Sequence, residues 1–218
     1  MELRDALRST AAVRAFTDQP VDDATVAAIL DDARFAPSGG NRQPWLVAVI
    51  KDAAVRRALA DVMQPVWNEY MVEAAAGRTP FTAVAPADYA TPVDRPPHAP
   101  NPLLSNIESV PAVLAIAADL SRIAIMDKDL DRPAIAGGAS IYPFCWSILL
   151  AAREHDLGGV ITTFATRVEP VTGPMLGLPA DHVLAAVIFL GHPVKRVTKL
   201  TRSAVTTTVD RFDGPALT

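Results

Sequence analysis

The segment FAPSGGNRQPW, residues 35–45, lies between two hydrophobic segments. It contains two adjacent glycines, two prolines, Asn41 and Gln43. Glycine lets the backbone approach a ligand closely or adopt a positive φ, and a carboxamide offers both a donor and an acceptor. Taken alone, the stretch fits two interpretations. It is either a turn in which a glycine ends a helix before a proline, or a loop that lies against a flat polar ligand.

The segments on either side of this stretch carry clear periodic patterns. Residues 21–36 repeat apolar side chains at helical spacing after Asp22 and Asp23, either of which is a suitable N-cap. Residues 45–51 have the apolar composition of a buried strand, and Asp52 precedes a second helical pattern over 53–63. Similar patterns predict helices over 2–9 and 138–156 and strands over 112–120, 157–164 and 183–191. Pro143 is compatible with the helix over 138–156 only near its first turn.

A proline-rich region around 64–110 and a tail over 199–218 interrupt this regular pattern. Eight of the 19 prolines fall between Pro80 and Pro111, so we expect little regular structure there. A long loop of this kind is either a lid over a binding site or a surface excursion, and Trp67, Tyr70 and Phe81 lie in it. The tail has the β-branched composition of an arm that packs on another subunit. We expect one domain over residues 1–218, of the α+β class, with helices covering a sheet.

Composition excludes several classes of function. Half of the 218 residues are hydrophobic, and the net charge of −4 is spread over charges of both signs, which is not typical of a nucleic-acid binder. The charged N-terminal residues and the lack of an apolar run of about 20 residues predict a cytoplasmic protein with no membrane contact. Cys145 is the single cysteine, so no internal disulfide framework is expected. The four histidines are far apart and form no metal-binding pair, so no metal is expected.

Four segments together resemble the FMN-dependent nitroreductase family. They are VRAFTDQPV at 13–21, ARFAPSGGNRQPW at 33–45, GASIYPFCWSILLAAREHDLGGVITT at 138–163 and KLTR at 199–202. The similarity holds in order and spacing over nearly the whole chain. The resemblance implies a mixed, mainly antiparallel sheet flanked by helices, in an intertwined homodimer with FMN sites built from both subunits.

The resemblance also implies roles for particular residues. Arg14 and Arg202, aided by Lys199, would contact the FMN phosphate. Ser38, Gly39 and Asn41, with Gln43 in the same loop, would approach the flavin from the partner subunit. Thr162 and Thr163 would lie beside the isoalloxazine ring, and Trp67, Tyr70 and Phe81 would contact a small-molecule substrate.

The implied activity is reduction of nitroaromatics, quinones or similar electrophiles by NADH or NADPH in a ping-pong reaction. No side chain need act as a catalytic acid or base, because the chemistry belongs to the flavin. Thr10, Ala11 and Ala12 replace a basic run that many members carry, with Arg8 one helical turn earlier as a candidate substitute. Trp146 and Ser147 replace a Gln-Asn pair. These departures leave two alternatives open, another flavin enzyme of the same fold or a protein that stores or sequesters flavin.

Overall fold

The computed structural model describes residues 1–84 and 99–203. In these ranges the chain forms six α-helices and four strands, joined by short 3₁₀ turns. In chain order they are α1 Leu3–Ser9, α2 Asp23–Ala33, β1 Trp45–Val49, α3 Ala53–Ala75, α4 Pro102–Ser105, β2 Ala112–Asp119, α5 Tyr142–Ala151, β3 Gly158–Thr162, α6 Glu169–Met175 and β4 His182–Gly191.

The strands form one antiparallel sheet in the order β1-β2-β4-β3. Val47 pairs with Ile116, and Ala115 pairs with Val187, so β2 and β4 occupy the centre. Both central strands are buried along almost their whole length, which explains their continuous apolar sequences. The predicted mainly antiparallel sheet with flanking helices is confirmed, and the four described strands pair only in the antiparallel sense.

Helices cover both faces of this sheet. Along β2, Leu114 and Ile116 point to a core shared with α2 and α5, whereas Val113 and Ala115 point to a core shared with α3 and α4. This alternation is the two-residue period of a strand that is buried on both sides. The helix α5 supplies the buried Cys145, and burial raises the pKa of this thiol to about 12.

One helix contradicts the sequence-based expectation. The pattern predicted a helix that ends at residue 63, but α3 continues through Pro65 to Ala75. A proline inside a helix removes the hydrogen bond to the carbonyl four residues earlier, here that of Asp61. Pro65 and Asp61 are both exposed, so water can solvate the freed carbonyl. Burial of Val66 on the opposite face favours continuation of the helix.

This extension changes the proline-rich region. Residues 64–75 belong to α3 and not to a loop. The expected lack of regular structure between Pro80 and Pro111 is wrong for α4 and for the 3₁₀ turn at Ile107–Ser109. Residues 85–98 of the region, and 204–218 of the predicted arm, lie outside the described residues. The segment that follows residue 98 is fixed to α3, because Ala99 N–H donates to Asn68 Oδ1 over 3.0 Å.

The other boundaries differ less from expectation. The helix α2 ends at Ala33, three residues before the predicted end, and α5 is shorter than the predicted 138–156 because 3₁₀ turns flank it on both sides. Pro143 lies in the first turn of α5, as predicted. No helix among the described residues combines the length and apolarity needed to cross a membrane.

A buried arginine joins α3 to the β1–β2 pair at the end where β1 finishes and β2 begins. Arg56 is 8% exposed and donates from Nε to the carbonyl of Ile50 over 2.8 Å. Its Nη1 donates to the carbonyls of Glu108 over 3.0 Å and Val110 over 2.6 Å. A guanidinium suits this role because its N–H groups spread in a fixed fork. Arg56 therefore satisfies three backbone acceptors that enter or leave the sheet.

We expect Arg56→Met to lower the free energy of unfolding by about 2–4 kcal/mol, since buried carbonyls would lose charge-assisted hydrogen bonds. Urea unfolding followed by circular dichroism measures this change. The control is Arg34→Met, which removes an exposed arginine paired with Asp31 and should cost less than about 1 kcal/mol. Equal losses in the two variants would contradict a structural role for the Arg56 hydrogen bonds.

Candidate functional site

The N-terminal segment after α1 lies against the edge of the sheet. Val13 N–H donates to the carbonyl of Gly159 in β3 over 2.9 Å, and Ala12 forms an isolated parallel bridge with Gly159. Further along, Phe16 forms an antiparallel bridge with Pro193, which follows β4. Two lines of hydrogen bonds thus hold this segment between β3 and the chain that leaves β4.

Gly159 leaves no room for a side chain where β3 pairs with β4. A Cβ built on Gly159 would lie 2.5 Å from Leu190 Cδ2 and closer still to the carbonyl oxygen of Phe189. Gly158 has the same restriction, because its Cβ would lie 2.7 Å from Val13 Cγ2. Gly158 is therefore required for close packing of the N-terminal segment on β3, and Gly159 is required for close packing of β3 against β4.

A cleft of about 780 Å³ opens beside this junction. Its lining comes from the N-terminal segment, α3, the region of α4, the end of β3 and the segment after β4. The lining residues that bear on function are Arg14, Met63, Trp67, Tyr70, Asn101, Thr162, Thr163, Phe164 and Lys195. The structure thus brings together five of the predicted site residues: Arg14, Thr162, Thr163, Trp67 and Tyr70.

The cleft is positively charged. Arg14 and Lys195 line it, and no aspartate or glutamate of the described residues does so. Neither cation forms an ion pair with a carboxylate in the described part of the chain. Lys195 was missed by sequence reasoning. It reaches the cleft because the neighbouring Val194 N–H donates to the carbonyl of Ala15 over 3.1 Å. This charge suits an anionic or electron-rich ligand.

Aromatic side chains form one wall of the cleft. Trp67 stacks on Tyr70 at 5.8 Å with an interplanar angle of 7°, and Phe164 meets both rings edge-on at 5.6 and 5.7 Å. The indole Nε1 of Trp67 is buried, and no described group accepts its proton. Stacked and edge-on arrangements are the favourable ones for aromatic rings, so this wall is a rigid apolar surface that suits a planar ligand.

Phe81 does not line this cleft, although it was predicted to contact substrate. Its ring lies 6.4 Å from Tyr70, and the guanidinium of Arg167 lies 4.5 Å from its centroid. Phe81 also has φ +54°, which is unusual for a bulky residue. In this structure Phe81 contacts Tyr70, which lines the cleft, without lining the cleft itself.

Thr162 and Thr163 mark the end of β3. The hydroxyl of Thr162 donates to the carbonyl of Val187 over 3.1 Å and is therefore already used within the sheet. The carbonyl of Thr163 accepts from the Thr166 hydroxyl over 2.7 Å at the start of the next 3₁₀ turn. These contacts fix the backbone at the point where the strand opens into the cleft.

The glycine-rich loop is not part of this cleft. It precedes β1, whereas Thr162 ends β3 at the other edge of the sheet, and three strand spacings correspond to about 14 Å. Ser38, Gly39, Asn41 and Gln43 are consequently not brought to the cleft of their own chain. The interpretation of the glycines as a helix cap is wrong, because α2 ends at Ala33 with Arg34 as its C-cap.

The loop has a strained and well-supported backbone. Gly40, Asn41 and Gln43 have φ values of +60°, +53° and +49°. Gln43 N–H donates to the Ser38 hydroxyl, and Gly39 N–H donates to the Ser140 hydroxyl, each over 3.0 Å. Left-handed backbone costs a non-glycine residue about 1–2 kcal/mol, and such strain concentrates at functional sites. The observed conformation presents an exposed polar loop at the opposite edge of the sheet.

Asp127 supports this loop indirectly and was missed by sequence reasoning. Its carboxylate accepts from Ile135 N–H over 2.9 Å and Ala136 N–H over 3.1 Å, and it pairs with Arg132 at 2.6 Å. The Ile135 hydrogen bond, followed by that of Arg132, lowers the pKa of Asp127 to about 2. This carboxylate fixes the start of the 3₁₀ turn at Ala136–Ser140 that carries the Ser140 hydroxyl.

The remaining predicted cations lie elsewhere. Arg202 lines a second pocket of about 450 Å³ together with Arg8 and Thr10. Lys199 is exposed and is not among the residues that line the main cleft. The structure therefore does not bring Arg14 and Arg202 into one pocket. Among the described residues, no group of three or more His, Cys, Asp and Glu side chains is placed to hold a metal ion.

An antiparallel sheet covered by helices, with a cationic and aromatic-walled cleft at one strand end, defines an α+β protein suited to a planar, anionic ligand. The chain belongs to the nitroreductase family, because the sequence model of that family matches residues 7–192. The resemblance to this family is thereby confirmed.

The sequence identity between this chain and individual relatives is low. An NADH dehydrogenase of Thermus thermophilus is 27% identical over 197 residues, which cover 89% of this chain and 88% of that protein. A nitrobenzene nitroreductase of Ectopseudomonas oleovorans is 27% identical over 214 residues, covering 86% and 85%. The structure of an NADPH:FMN oxidoreductase from Vibrio harveyi complexed with NAD⁺ has a TM-score of 0.65 at 17% identity, covering 97% of this chain and 78% of that one.

Gly159→Ala should destabilise the protein, because the added methyl group collides with Leu190 and the Phe189 carbonyl. Overpacking of this kind costs about 1–3 kcal/mol, measurable as a fall in the free energy of unfolding in urea. Gly173→Ala is the matched control, since Gly173 lies in α6 and a Cβ there meets nothing within 4 Å. The control should be neutral or slightly stabilising. A tolerated Gly159→Ala would show that β3 does not need this close approach to β4.

Proposed function

We propose that this chain is an FMN-dependent oxidoreductase that reduces nitroaromatics, quinones or similar electrophiles with NADH or NADPH. The observation that carries the proposal is the cleft in which Arg14 and Lys195 lie beside Thr162, Thr163 and an aromatic wall. Membership of the nitroreductase family supports it, as do relatives named as an NADH dehydrogenase and a nitrobenzene nitroreductase.

The residues present fit a flavin mononucleotide. A planar ring system suits the wall formed by Trp67, Tyr70 and Phe164. The indole N–H of Trp67 is buried in this wall and has no acceptor among the described residues. The unpaired cations Arg14 and Lys195 suit an anionic ligand. When bound, FMN would accept a hydride from NADH or NADPH and transfer it to the oxidised substrate in alternating steps.

The residues of the chain would bind the flavin, orient its ring and shield it from water. Arg14 and Lys195 would favour the negative charge that a flavin gains on reduction, as preorganised cations do in other sites. The fixed backbone of Thr162 and Thr163 would position the ring. The wall of Trp67 and Tyr70 would exclude water from one side. No residue is assigned as a catalytic acid or base.

A second copy of the chain would complete each site. Ser38, Gly39, Asn41 and Gln43 lie about 14 Å or more from their own cleft, yet the loop that carries them is strained and exposed. The same edge of the sheet exposes the apolar residues Phe35, Leu46 and Val49. An intertwined homodimer would bury these residues and deliver the polar loop to the partner's cleft.

Flavin binding without turnover is the second candidate. At the positions where a basic run is usual, Thr10 is 6% exposed and accepts from Arg153, while Ala11 and Ala12 carry no charge. A site that holds flavin with fewer cations could serve storage or sequestration.

A visible absorption spectrum separates these functions. We expect the protein, purified or soaked with FMN, to show a flavin band that bleaches when NADPH or NADH is added without oxygen. A nitroaromatic or quinone should then restore the band. Persistence of the band with both nucleotides would favour storage, and failure to retain FMN after soaking would overturn the flavin proposal. Arg14→Met should slow bleaching by about tenfold or more, whereas Arg34→Met should not, because a charge-assisted contact contributes about 1.5–3 kcal/mol.

Complementation tests the contribution of the partner subunit. Arg14→Met and Asn41→Ala should each impair FMN binding when expressed alone, with little change in stability. In a mixed dimer, one site would contain both substitutions and the other neither. Co-expression should therefore restore about a quarter of the sites if the two residues come from different chains. No recovery, with both variants folded and dimeric, would place Asn41 outside the partner's site.

A further inference from the structure

The aromatic wall of the cleft is carried by the half of α3 that follows Pro65. Trp67 and Tyr70 both lie in this half, and Val66 is the last residue of the helix that is buried in the core. Pro65 has no N–H to bond to the carbonyl of Asp61, so the backbone hydrogen bonds that join the two halves of α3 are incomplete. The position of the wall relative to the sheet therefore depends on contacts that are made outside α3.

The 3₁₀ turn Phe164–Val168, which follows β3, supplies such contacts through an arginine. Arg167 Nη2 lies 3.4 Å from Glu69 Oε1, and its Nε donates to Glu69 Oε2 over 3.5 Å. Its guanidinium also lies 4.5 Å from the centroid of the Phe81 ring, which in turn lies 6.4 Å from Tyr70. Arg167 thus contacts one residue that precedes Tyr70 in the chain and one that follows it.

The turn that carries this arginine is itself held in place. The Thr166 hydroxyl donates to the carbonyl of Thr163, at the end of β3, over 2.7 Å. The hydroxyl of Thr172 in α6, which is fully buried, donates to the carbonyl of Ala165 over 3.1 Å. Because one hydrogen bond joins the turn to β3 and the other joins it to α6, Arg167 extends from a fixed backbone.

The contacts of Arg167 orient side chains more than they stabilise the fold. The side chains of Arg167 and Glu69 are 53% and 51% exposed, and an ion pair this exposed contributes little to stability. A guanidinium above an aromatic ring is directional, because the ring attracts a cation only over its face. Phe81 has φ +54°, and a bulky residue keeps such a backbone only where its surroundings hold it.

We propose that Arg167 is a positioning residue that sets the substrate selectivity of the cleft, because it holds Tyr70 through Glu69 and Phe81. Arg167 does not line the cleft, so it would act through Tyr70, which does. The cleft of about 780 Å³ also has to hold a cofactor, and the place of the wall then decides how wide a planar substrate can enter. This inference rests on the proposed function.

Steady-state kinetics with two quinones of different width, 1,4-benzoquinone and 1,4-naphthoquinone, test the proposal in the FMN-loaded protein. We expect the natural chain to favour the narrower quinone in kcat/KM. Arg167→Met should lower the ratio of kcat/KM for benzoquinone to that for naphthoquinone by about threefold or more, because a loosened wall contacts the narrow ring less and obstructs the wide one less. The difference in reduction potential between the quinones cancels when variants are compared.

The change in the ratio should come from KM. Arg167 contacts no reacting group, so kcat should change by less than about twofold. Loss of folded protein has the opposite signature, since it lowers kcat and leaves KM unchanged.

Fluorine NMR of protein that carries 3-fluorotyrosine gives a second measurement that needs no flavin. The chain has three tyrosines, and the resonance of Tyr70 is identified by its loss in Tyr70→Phe. We expect Arg167→Met to shift or broaden this resonance, because the ring loses its support from Phe81. The resonance of Tyr142, which lies on α5, should stay in place.

Arg34→Met is the matched control. Arg34 makes the same two kinds of contact, an ion pair with Asp31 and a guanidinium 4.7 Å from the ring of Phe35, and it does not line the cleft. Its removal should change neither the ratio for the two quinones nor the resonance of Tyr70. Circular dichroism checks that both variants are folded.

The outcomes separate this inference from the proposed function. An unchanged Tyr70 resonance in folded Arg167→Met would overturn the positioning role, with or without flavin chemistry. An unchanged ratio for the two quinones in an active Arg167→Met variant would overturn the effect on selectivity and leave the flavin proposal intact, as would a natural chain that does not favour the narrower quinone. If the natural chain loaded with FMN reduces neither quinone with NADH or NADPH, the proposed function fails and this inference fails with it.

Discussion

The candidate site depends on one close backbone contact, the hydrogen bond from Val13 N–H to the carbonyl of Gly159. This approach requires a glycine at position 158, because a Cβ there would lie 2.7 Å from Val13 Cγ2. The contact fixes the extended segment in which Thr10 faces one pocket and Arg14 faces the other. A small steric constraint in β3 thus sets the separation between the two positively charged regions.

The rest of the fold makes that contact rigid. The central strands β2 and β4 are buried on both faces, and helices α2, α3 and α5 prevent the sheet from shifting. Arg56 joins α3 to the same layer through three carbonyls. Since α3 also carries Trp67 and Tyr70, its attachment to the sheet determines where the aromatic wall stands relative to Thr162. The aromatic wall on α3 and the end of β3 at Thr162 are therefore both held by the same sheet.

Parts of this architecture could be predicted from sequence, and particular residues show why others could not. The strands β2 and β4 were predicted to within about one residue, because long apolar runs have one stable placement, in the middle of a sheet. The predicted end of α3 at residue 63 was wrong. Pro65 disfavours a helix through local geometry, whereas burial of Val66 favours one, and that burial depends on tertiary packing. Lys195 and Asp127 were missed because a single charged residue in a loop has no periodicity. Only the pairing of Val194 with Ala15, and the turn after residue 127, give these charges their positions.

The composition of the cleft constrains the chemistry that this chain can itself perform. Its titratable lining groups are Arg14, Lys195 and the phenol of Tyr70, with no carboxyl or imidazole among the described lining residues. Groups of this kind bind anions and stabilise negative charge, and they are poorly suited to accept a proton from a substrate. A site with such a lining is suited to electron or hydride transfer in which a bound cofactor reacts and the protein orients it. Differences between substrates would then arise from shape and charge at the aromatic wall, where Tyr70 is supported by Phe81 and Arg167. Under the proposed function, substrate choice would depend on the side of the cleft formed by α3, and cofactor retention would depend on the opposite side, along residues 10–14.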